Sequence, residues 1–280
     1  MSIKGLRCET ALRRQIAKWR RKGRRIAFVP TMGALHEGHL SLIALAHAHA
    51  DRVIASIYVN PTQFGPDEDL AAYPRDEAAD LAKLESAGCH ACYLPGELYA
   101  DDHATRVEVD TVRGDLEGEH RPGHFEGVAL VLTKFFNRVA PDVAVFGEKD
   151  YQQLALVRQL VRDLDFPIAI VGAPIARDDH GLALSSRNRY FDEAGLATAR
   201  KLNARMRDCV EALERGMLPE TALQHVNDGL LSDGFDQVDY AVLRDAVSLK
   251  AAEPDSEARL LVVARVGKVR LLDNMAVRLP

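Results

Sequence analysis

Residues 26 to 40 read IAFVPTMGALHEGHL, and this stretch joins an apolar run to a polar turn. The run IAFVP is apolar throughout, which is typical of a strand buried on both faces of a parallel sheet. The turn after it contains His36 and His39, which frame a glutamate and a glycine. This stretch therefore predicts a strand, a turn and the start of a helix, with two imidazoles at the helix N-terminus.

Four further β-rich apolar runs resemble the first one. They lie at 53–59, 91–95, 142–147 and 168–174. Segments with helical periodicity separate most of the runs, and they lie at 40–50, 76–88 and 151–164. Alternating strands and helices predict an α/β fold with a Rossmann-like, doubly wound parallel sheet.

The pattern changes after about residue 176. Two helical segments at about 192–217 and 218–231 precede three short strand-like runs, VDYAVL, RLLVVARV and VRLLD. Consecutive strands without helices between them indicate a small antiparallel sheet. We therefore predict a Rossmann-like domain over residues 1–175 and a smaller α+β domain over residues 176–280.

Charge and composition narrow the class of protein. The 280 residues include 36 Lys and Arg and 41 Asp and Glu, so the formal net charge is −5. This balance argues against a dedicated nucleic-acid-binding protein, which usually carries a basic excess. The basic cluster at 11–25 is interpreted as the solvated face of an amphipathic helix, and a surface that steers an anionic substrate is the alternative.

The cysteines and the N-terminus bear on location. Cys89 and Cys92 form a single C-x-x-C without a second pair, so we interpret them as strand and turn residues, with a metal or redox role as the alternative. We see neither a signal peptide nor a membrane-spanning run. A cytoplasmic protein with reduced thiols is expected.

The strand order locates a ligand site. Ligands of open α/β sheets bind beyond the carboxyl ends of the strands, where the strand order reverses. In the common order 3-2-1-4-5 this point lies between the first and fourth strands. The first strand ends in TMGALHEGH and the fourth in GEKDYQQ, so two polar, glycine-bearing strand exits flank the expected crevice.

The two histidines suit a phosphate site. A helix N-terminus offers unpaired N–H groups and the positive end of the helix dipole. His36 and His39 are three residues apart and would share one face, while Gly38 would leave room for a nucleotide and Glu37 would start the helix. Two exposed loop histidines are the alternative. A zinc site is disfavoured because the spacing of H-E-x-x-H is absent.

Two other segments carry similar chemistry. Lys149 and Asp150 follow the fourth strand and would contact phosphate and ribose hydroxyls, or would be a solvated lysine and a helix cap. Ser185, Ser186 and Arg187 offer two hydroxyls and a guanidinium, or would cap the next helix.

These motifs resemble the pantothenate synthetases (pantoate–β-alanine ligases), a family within the H-x-G-H nucleotidylyltransferase superfamily. The resemblance runs over essentially the whole chain. It is carried by PTMGALHEGH (30–39), YVNPTQFG (58–65), YPRD (73–76), HRPGHFEGV (120–128), VFGEKDYQQL (145–154) and LALSSRN (182–188). H-x-G-H alone indicates only the superfamily, whereas N-P-x-Q-F, G-E-K-D-Y-Q-Q and S-S-R-N in this order indicate the ligase.

The resemblance implies a two-step reaction. Pantoate and ATP would form pantoyl adenylate and pyrophosphate, and β-alanine would then displace AMP to give pantothenate. Residues 1–175 would bind the nucleotide and pantoate, and residues 176–280 would form a lid. The implied catalytic residues are His39, His36, Lys149 and Arg187. The implied ATP-binding residues are Met32, Gly33, Ala34, Leu35, His36, Glu37, Gly38, His39, Gly147, Glu148, Lys149, Asp150, Ala176, Leu184, Ser185, Ser186 and Arg187.

The resemblance also implies an acceptor site. Gln63 and Gln153 would hold pantoate, with Met32 and Val131 as an apolar wall. Asn60 and Tyr73, with Arg187, would help to admit β-alanine. Arg121 and His124 lie in a family segment near the site, but no role is assigned to them.

Metal and oligomer expectations follow from the same resemblance. Mg²⁺ would accompany the triphosphate, and the chain would form a homodimer. Family members often carry two adjacent acids a few residues after Y-P-R, whereas here Ala79 precedes Asp80. No protein metal ligand is therefore predicted. Leu184 stands where methionine is frequent, which is a volume-conserving change.

Two other functions remain as alternatives. One is another H-x-G-H adenylyltransferase, which would join a nucleotide to a phosphorylated acceptor, although such proteins are usually shorter. The other is a non-catalytic nucleotide-binding protein, which would be expected to have lost charged site residues. A tRNA-binding module fits less well with the acidic net charge.

Overall fold

The computed structural model describes residues 3–66, 68–112 and 114–280. The chain forms two compact units. The first comprises Met1–Glu148 and Leu156–Pro174, and the second comprises Lys149–Ala155 and Ile175–Pro280. The segment Lys149–Ala155 thus belongs to the second unit, although it precedes residue 176 in the chain.

The first unit contains a six-stranded parallel sheet. Its strands are β1 (Lys4–Leu6), β2 (Ile26–Thr31), β3 (Arg52–Ile57), β4 (Ala91–Tyr93), β5 (Val143–Gly147) and β6 (Ala169–Ala173). The order is β1-β4-β3-β2-β5-β6, and every neighbouring pair is parallel. The five predicted strands are therefore present in the predicted order 3-2-1-4-5. The sixth strand, β1, was not predicted and extends the sheet beside β4.

Helices cover both faces of this sheet. They are α1 (Glu9–Arg20), α2 (Glu37–His49), α3 (Glu77–Ser86), α4 (Glu117–His120), α5 (His124–Val139) and α6 (Tyr151–Asp163), of which Tyr151–Ala155 belongs to the second unit. Leu42 and Ile43 of α2 pack on one face of the strands. On the other face Phe28 of β2 contacts Phe135 of α5, with ring centroids 5.7 Å apart. The doubly wound fold is confirmed.

The basic stretch at 11–25 lies on and just after α1. Three of its arginines form ion pairs, Arg13 with Glu9, Arg20 with Asp142 and Arg24 with Asp51. Each of these arginines is well exposed, so the pairs contribute little stability. The contacts agree with a solvated helix face.

The C-x-x-C cysteines are packed in the core, Cys92 on β4 and Cys89 just before it. Cys89 and Cys92 are both buried and free. Burial raises the pKa of the Cys89 thiol to about 11 and also raises that of Cys92. Both thiols are thus protonated at neutral pH, which makes them poor nucleophiles and poor metal ligands.

His90, between these cysteines, gives a first prediction. Val53 N–H donates to His90 Nδ1 at 3.0 Å, and burial, with the nearby Arg52 charge, lowers the pKa of His90 to about 4. The unfolded chain binds this proton nearer pH 6.5. The stability that neutral His90 contributes is therefore fully present above about pH 6.5 and is lost as the pH falls toward 4.

We expect His90→Asn to make this loss of stability smaller, because asparagine still offers an oxygen to Val53 N–H but does not titrate. The measurement is the melting temperature between pH 7 and pH 4.5. His49→Asn is the control, since His49 is exposed on α2. An equal pH dependence in wild type and His90→Asn would contradict the prediction.

The second unit has its own core. It contains α7 (Glu193–Glu214), α8 (Pro219–Ser232) and the antiparallel strands β7 (Gln237–Asp245), β8 (Glu257–Val266) and β9 (Val269–Arg278), in the order β7-β8-β9. Leu202 and Met206 of α7 pack with Leu260 and Val262 of β8. Within the described part of the chain, no helix combines the length and the apolar character that crossing a membrane requires.

Candidate functional site

The parallel sheet opens where its strand order reverses, between β2 and β5. These strands pair at Ala27 with Val143 and at Phe28 with Ala144, whereas they continue to Thr31 and Gly147. The carboxyl ends of β2 and β5 therefore lie beyond their shared ladder, which is where α/β sheets bind ligands. The polar exits predicted from the sequence begin at these two ends.

The two histidines form the N-terminus of α2. His36 is the N-cap residue, and its Nδ1 accepts the Gly38 N–H at 3.1 Å. His39 Nδ1 accepts the His36 N–H at 3.3 Å, and the two ring centroids are 4.2 Å apart. The predicted shared face is thus present.

These bonds occupy two of the backbone donors at the start of α2. Two backbone N–H groups, of His36 and Gly38, are already bonded to imidazole nitrogens, so the expectation of unpaired backbone donors does not hold for them. Because each Nδ1 accepts a hydrogen bond, the proton of each neutral ring lies on Nε2. In these neutral rings Nε2–H is thus the donor, and Nδ1 is the acceptor of a backbone N–H.

Helix α3 clamps the loop that precedes these histidines. Asp80 is 2% exposed, and its two carboxylate oxygens accept the N–H groups of Ala34 and Leu35, each at 2.8 Å. Lys83 Nζ donates to Leu35 O at 2.6 Å. Gly33 has φ +84°, and a Cβ there would lie 2.9 Å from Asp80 Oδ2. Only glycine fits this turn without strain.

We expect Asp80→Asn to destabilise the protein by about 1–3 kcal/mol, because it leaves a buried loop N–H facing an NH₂ donor. The displaced loop should also raise the KM for ATP, the nucleotide that the family resemblance implies. Urea denaturation and steady-state kinetics measure the two effects. Asp76→Asn is the matched control, since exposed Asp76 caps the same helix by accepting Ala79 N–H and asparagine caps equally well. Equal losses in both variants would contradict the clamp.

A second turn, at residues 60–63, contains two residues of the predicted acceptor site. Gln63 is predicted to hold pantoate, and Asn60 is predicted to help admit β-alanine. Asn60 Nδ2 donates to Gln63 Oε1 at 3.1 Å and to Gly127 O at 3.0 Å. Tyr99 OH donates to Asn60 Oδ1 at 2.8 Å. Gln63 Nε2 lies 3.0 Å from Met32 Sδ, so Gln63 adjoins the histidine-bearing loop.

The remaining predicted residues of the first unit are largely buried. Tyr73 is 6% exposed and packs edge-on against Phe64. Val131 is 5% exposed on α5. Gly147 ends β5, and Glu148, the next residue, donates its N–H to Ala173 O at 2.8 Å.

In the second unit, Lys149, Asp150 and Gln153 lie at the start of α6. Lys149 Nζ is 3.6 Å from Asp150 Oδ1. Asn274 of β9, which is 1% exposed, donates from Nδ2 to Lys149 O at 2.9 Å. Asn274 thereby fixes the backbone of a predicted phosphate-binding residue, and nothing in the sequence near residue 274 indicates this role.

The segment 176–187 forms a small hairpin in the same unit. Leu184 N–H donates to Ala176 O at 2.9 Å, which joins two predicted nucleotide contacts. Arg177 forms a two-pronged ion pair with buried Asp273 at 2.6 and 2.8 Å. Ser185 caps a 3-10 turn at Ser186–Tyr190 by accepting Arg187 N–H. The capping alternative is thus observed for Ser185.

Metal-ligand geometry is absent from the described residues. No group of three or more His, Cys, Asp or Glu side chains among them is placed to hold a metal ion. Both oxygens of Asp80 are bonded to loop N–H groups.

The predicted site residues fall into two sets, one in each compact unit.

Known proteins resemble this chain over almost its full length. A sequence profile described as Pantoate-beta-alanine ligase matches residues 5–276. Pantothenate synthetase of Mesorhizobium japonicum is 50% identical over 269 residues, with 95% of each chain covered. That of Rhodospirillum rubrum is 50% identical over 275 residues, covering 97% of this chain and 98% of the relative.

Solved structures agree with the sequence relatives. Pantothenate synthetase from Thermus thermophilus superposes with a TM-score of 0.90 at 39% identity, covering 98% of this chain and 99% of the other. The pantoate-beta-alanine ligase from Francisella tularensis, complexed with beta-gamma ATP and beta-alanine, gives 0.80 at 32% identity, covering 98% and 97%. The chain therefore belongs to the pantoate–β-alanine ligase family, a family of ligases.

Proposed function

We propose that this chain joins pantoate to β-alanine at the expense of ATP, with pantoyl adenylate as the intermediate and AMP and pyrophosphate as by-products. The observation that carries the proposal is the pair of imidazoles that cap α2 where the strand order reverses. Family membership supports pantoate and β-alanine as the substrates. The paired histidines support a reaction at the phosphates of ATP.

In the first step a pantoate carboxylate oxygen attacks the α-phosphorus of ATP. The new P–O bond forms as the bond to the bridging oxygen of pyrophosphate breaks. Negative charge grows on the phosphate oxygens, so donors fixed in advance lower the barrier. His36 and His39 provide Nε2–H donors, with His39 serving the leaving pyrophosphate. Lys149 adds a positive charge and Asp150 accepts from the ribose.

Pantoate is held by amide groups. Gln63 and Gln153 hydrogen-bond its hydroxyl and carboxylate oxygens, and Met32 and Val131 contact its dimethyl carbon. The support is the fixed Asn60–Gln63 turn and the proximity of Gln63 to Met32. These contacts orient the carboxylate toward the α-phosphorus. They raise the rate of the reaction because a bimolecular step becomes effectively unimolecular.

In the second step the β-alanine amine attacks the acyl carbon of the adenylate. The C–N bond forms, the C–O bond to AMP breaks, and the amine loses a proton to solvent. Asn60, Tyr73 and Arg187 admit β-alanine. The other nucleotide contacts come from Met32–Leu35, Glu37, Gly38, Gly147, Glu148, Ala176, Leu184, Ser185 and Ser186. The division into a nucleotide- and pantoate-binding domain (1–175) and a lid domain (176–280) stays a prediction.

We also propose that Mg²⁺ enters with ATP. The described residues offer no protein ligand cluster, and Asp80 is occupied by backbone N–H groups. The ion would be held by the triphosphate oxygens and would neutralise their charge. No step assigned to a side chain here depends on it.

A homodimer is the proposed assembly, on the basis of the family resemblance. Multi-angle light scattering of the purified chain tests it, and a mass close to 30.9 kDa would indicate a monomer instead. The cytoplasm is the proposed location, because the reaction consumes ATP. Fractionation of cells that express the tagged chain tests the location.

The deciding experiment measures pyrophosphate release from ATP with pantoate, with and without β-alanine, beside a panel of other acids and amines. We expect release to depend on pantoate, and AMP and pantothenate to appear only with β-alanine. Release with another acid would indicate a different H-x-G-H transferase. ATP binding without any release would indicate a non-catalytic nucleotide-binding protein.

A further inference from the structure

Arg121 and His124 belong to a family segment whose role the reaction scheme leaves open. Arg121 follows α4, and His124 is the first residue of α5. The proposed reaction assigns neither side chain a role in phosphate chemistry. His124 contacts the backbone carbonyl of Gln63, and Arg121 contacts His124.

Glu68, Arg121 and His124 form a continuous series of hydrogen bonds that ends at the Gln63 carbonyl. Arg121 binds Glu68 with two prongs, Nε to Oε1 at 2.8 Å and Nη2 to Oε2 at 2.6 Å. Arg121 Nη1 lies 3.1 Å from His124 Nε2, and His124 Nδ1 lies 2.8 Å from Gln63 O.

One protonation state of His124 satisfies both of its hydrogen bonds. Arginine only donates, so His124 Nε2 accepts, and a carbonyl only accepts, so His124 Nδ1 carries the proton. Burial, with the adjacent Arg121 charge, lowers the pKa of His124 to about 4. The ring is therefore neutral at pH 7, in the tautomer that donates to Gln63.

The same helix supports the turn at a second point. A Cβ on Gly127 would lie 2.2 Å from Thr62 O and 2.6 Å from Gln63 N, so α5 touches the turn backbone directly. His124 and Gly127 are three residues apart and therefore lie on the same side of α5. Helix α5 thus binds the Gln63 carbonyl through His124 and packs against the backbone nitrogen of Gln63 through Gly127.

We propose, on the basis of the proposed function, that Arg121 and His124 are positioning residues that fix the Gln63 backbone and so aim its side-chain amide at pantoate. Glu68 holds the Arg121 guanidinium within hydrogen-bond distance of His124. The binding of pantoate, rather than the binding of ATP, should therefore depend on these hydrogen bonds.

The test compares two substitutions at His124. His124→Phe keeps the ring shape but removes the donor to Gln63 O, whereas asparagine in His124→Asn can place an NH₂ near the position of Nδ1. We expect His124→Phe to raise the KM for pantoate about tenfold, the equivalent of one hydrogen bond, with little change in the KM for ATP. His124→Asn should restore most of the lost affinity.

Arg121→Lys is the second variant, in case His124→Phe does not fold. It keeps a cation beside Glu68 but cannot reach Glu68 and His124 together, so a smaller rise in the KM for pantoate is expected. Equal rises in both KM values, unchanged pantoate kinetics, or a His124→Asn variant no better than His124→Phe would each overturn the proposal. Wild type without pantoate-dependent pyrophosphate release would instead contradict the proposed function itself.

Discussion

His39→Asn should lower the rate of pantoate-dependent pyrophosphate release by about 10²–10³-fold, the usual cost of removing one fixed donor from a developing negative charge. His39 Nδ1 accepts the His36 N–H, so its proton lies on Nε2, where it can serve the leaving pyrophosphate. Asparagine places an oxygen near the position of Nδ1 and keeps the cap, but it has no counterpart to Nε2. The variant thus separates chemistry from helix stability.

Three measurements make this prediction specific. The melting temperature of His39→Asn should stay near that of wild type because the cap is kept. The reaction of supplied pantoyl adenylate with β-alanine should change little, because pyrophosphate has already left. His49→Asn, at the exposed end of the same helix, should release pyrophosphate normally. Release by His39→Asn within a fewfold of wild type would exclude the assigned role.

The sheet was predictable because its inner strands are buried on both faces. Continuous apolar runs such as IAFVP mark such strands, and the helices between them require parallel neighbours. The crevice followed from the strand order alone. Strand β1 escaped prediction because three residues, Lys4–Leu6, are too few to show a pattern.

The supports of the site were much less predictable. No structural role was predicted for Asp80, yet it binds loop N–H groups 46 and 45 residues away in sequence. Asn274 reaches Lys149 O across 125 residues. Local patterns describe which residue types are present, whereas such bonds depend on tertiary packing. The histidine spacing likewise predicted a shared face but not the bonds that occupy two backbone donors.

Gly127→Ala should destabilise the protein by about 2–3 kcal/mol, because the added methyl group would overlap a backbone that cannot rotate away. The Cβ would lie 2.2 Å from Thr62 O and 2.4 Å from Thr62 C. Helix α5 and the Asn60–Gln63 turn would have to separate. Asn60 Nδ2, which donates to Gly127 O, would lose its alignment, so the KM for pantoate should rise as well.

The sign of this effect distinguishes packing from helix propensity. In a helix interior alanine is ordinarily more stable than glycine by about 1 kcal/mol. Gly229→Ala in α8 is the matched control, because the atoms nearest its Cβ would belong to the partly exposed Arg205 side chain, at 3.1 Å, rather than to backbone. We expect urea denaturation to show little change or a gain for Gly229→Ala and a clear loss for Gly127→Ala. A gain in both variants would mean that α5 can move away from the turn, and the pantoate site would then not depend on their backbone contact.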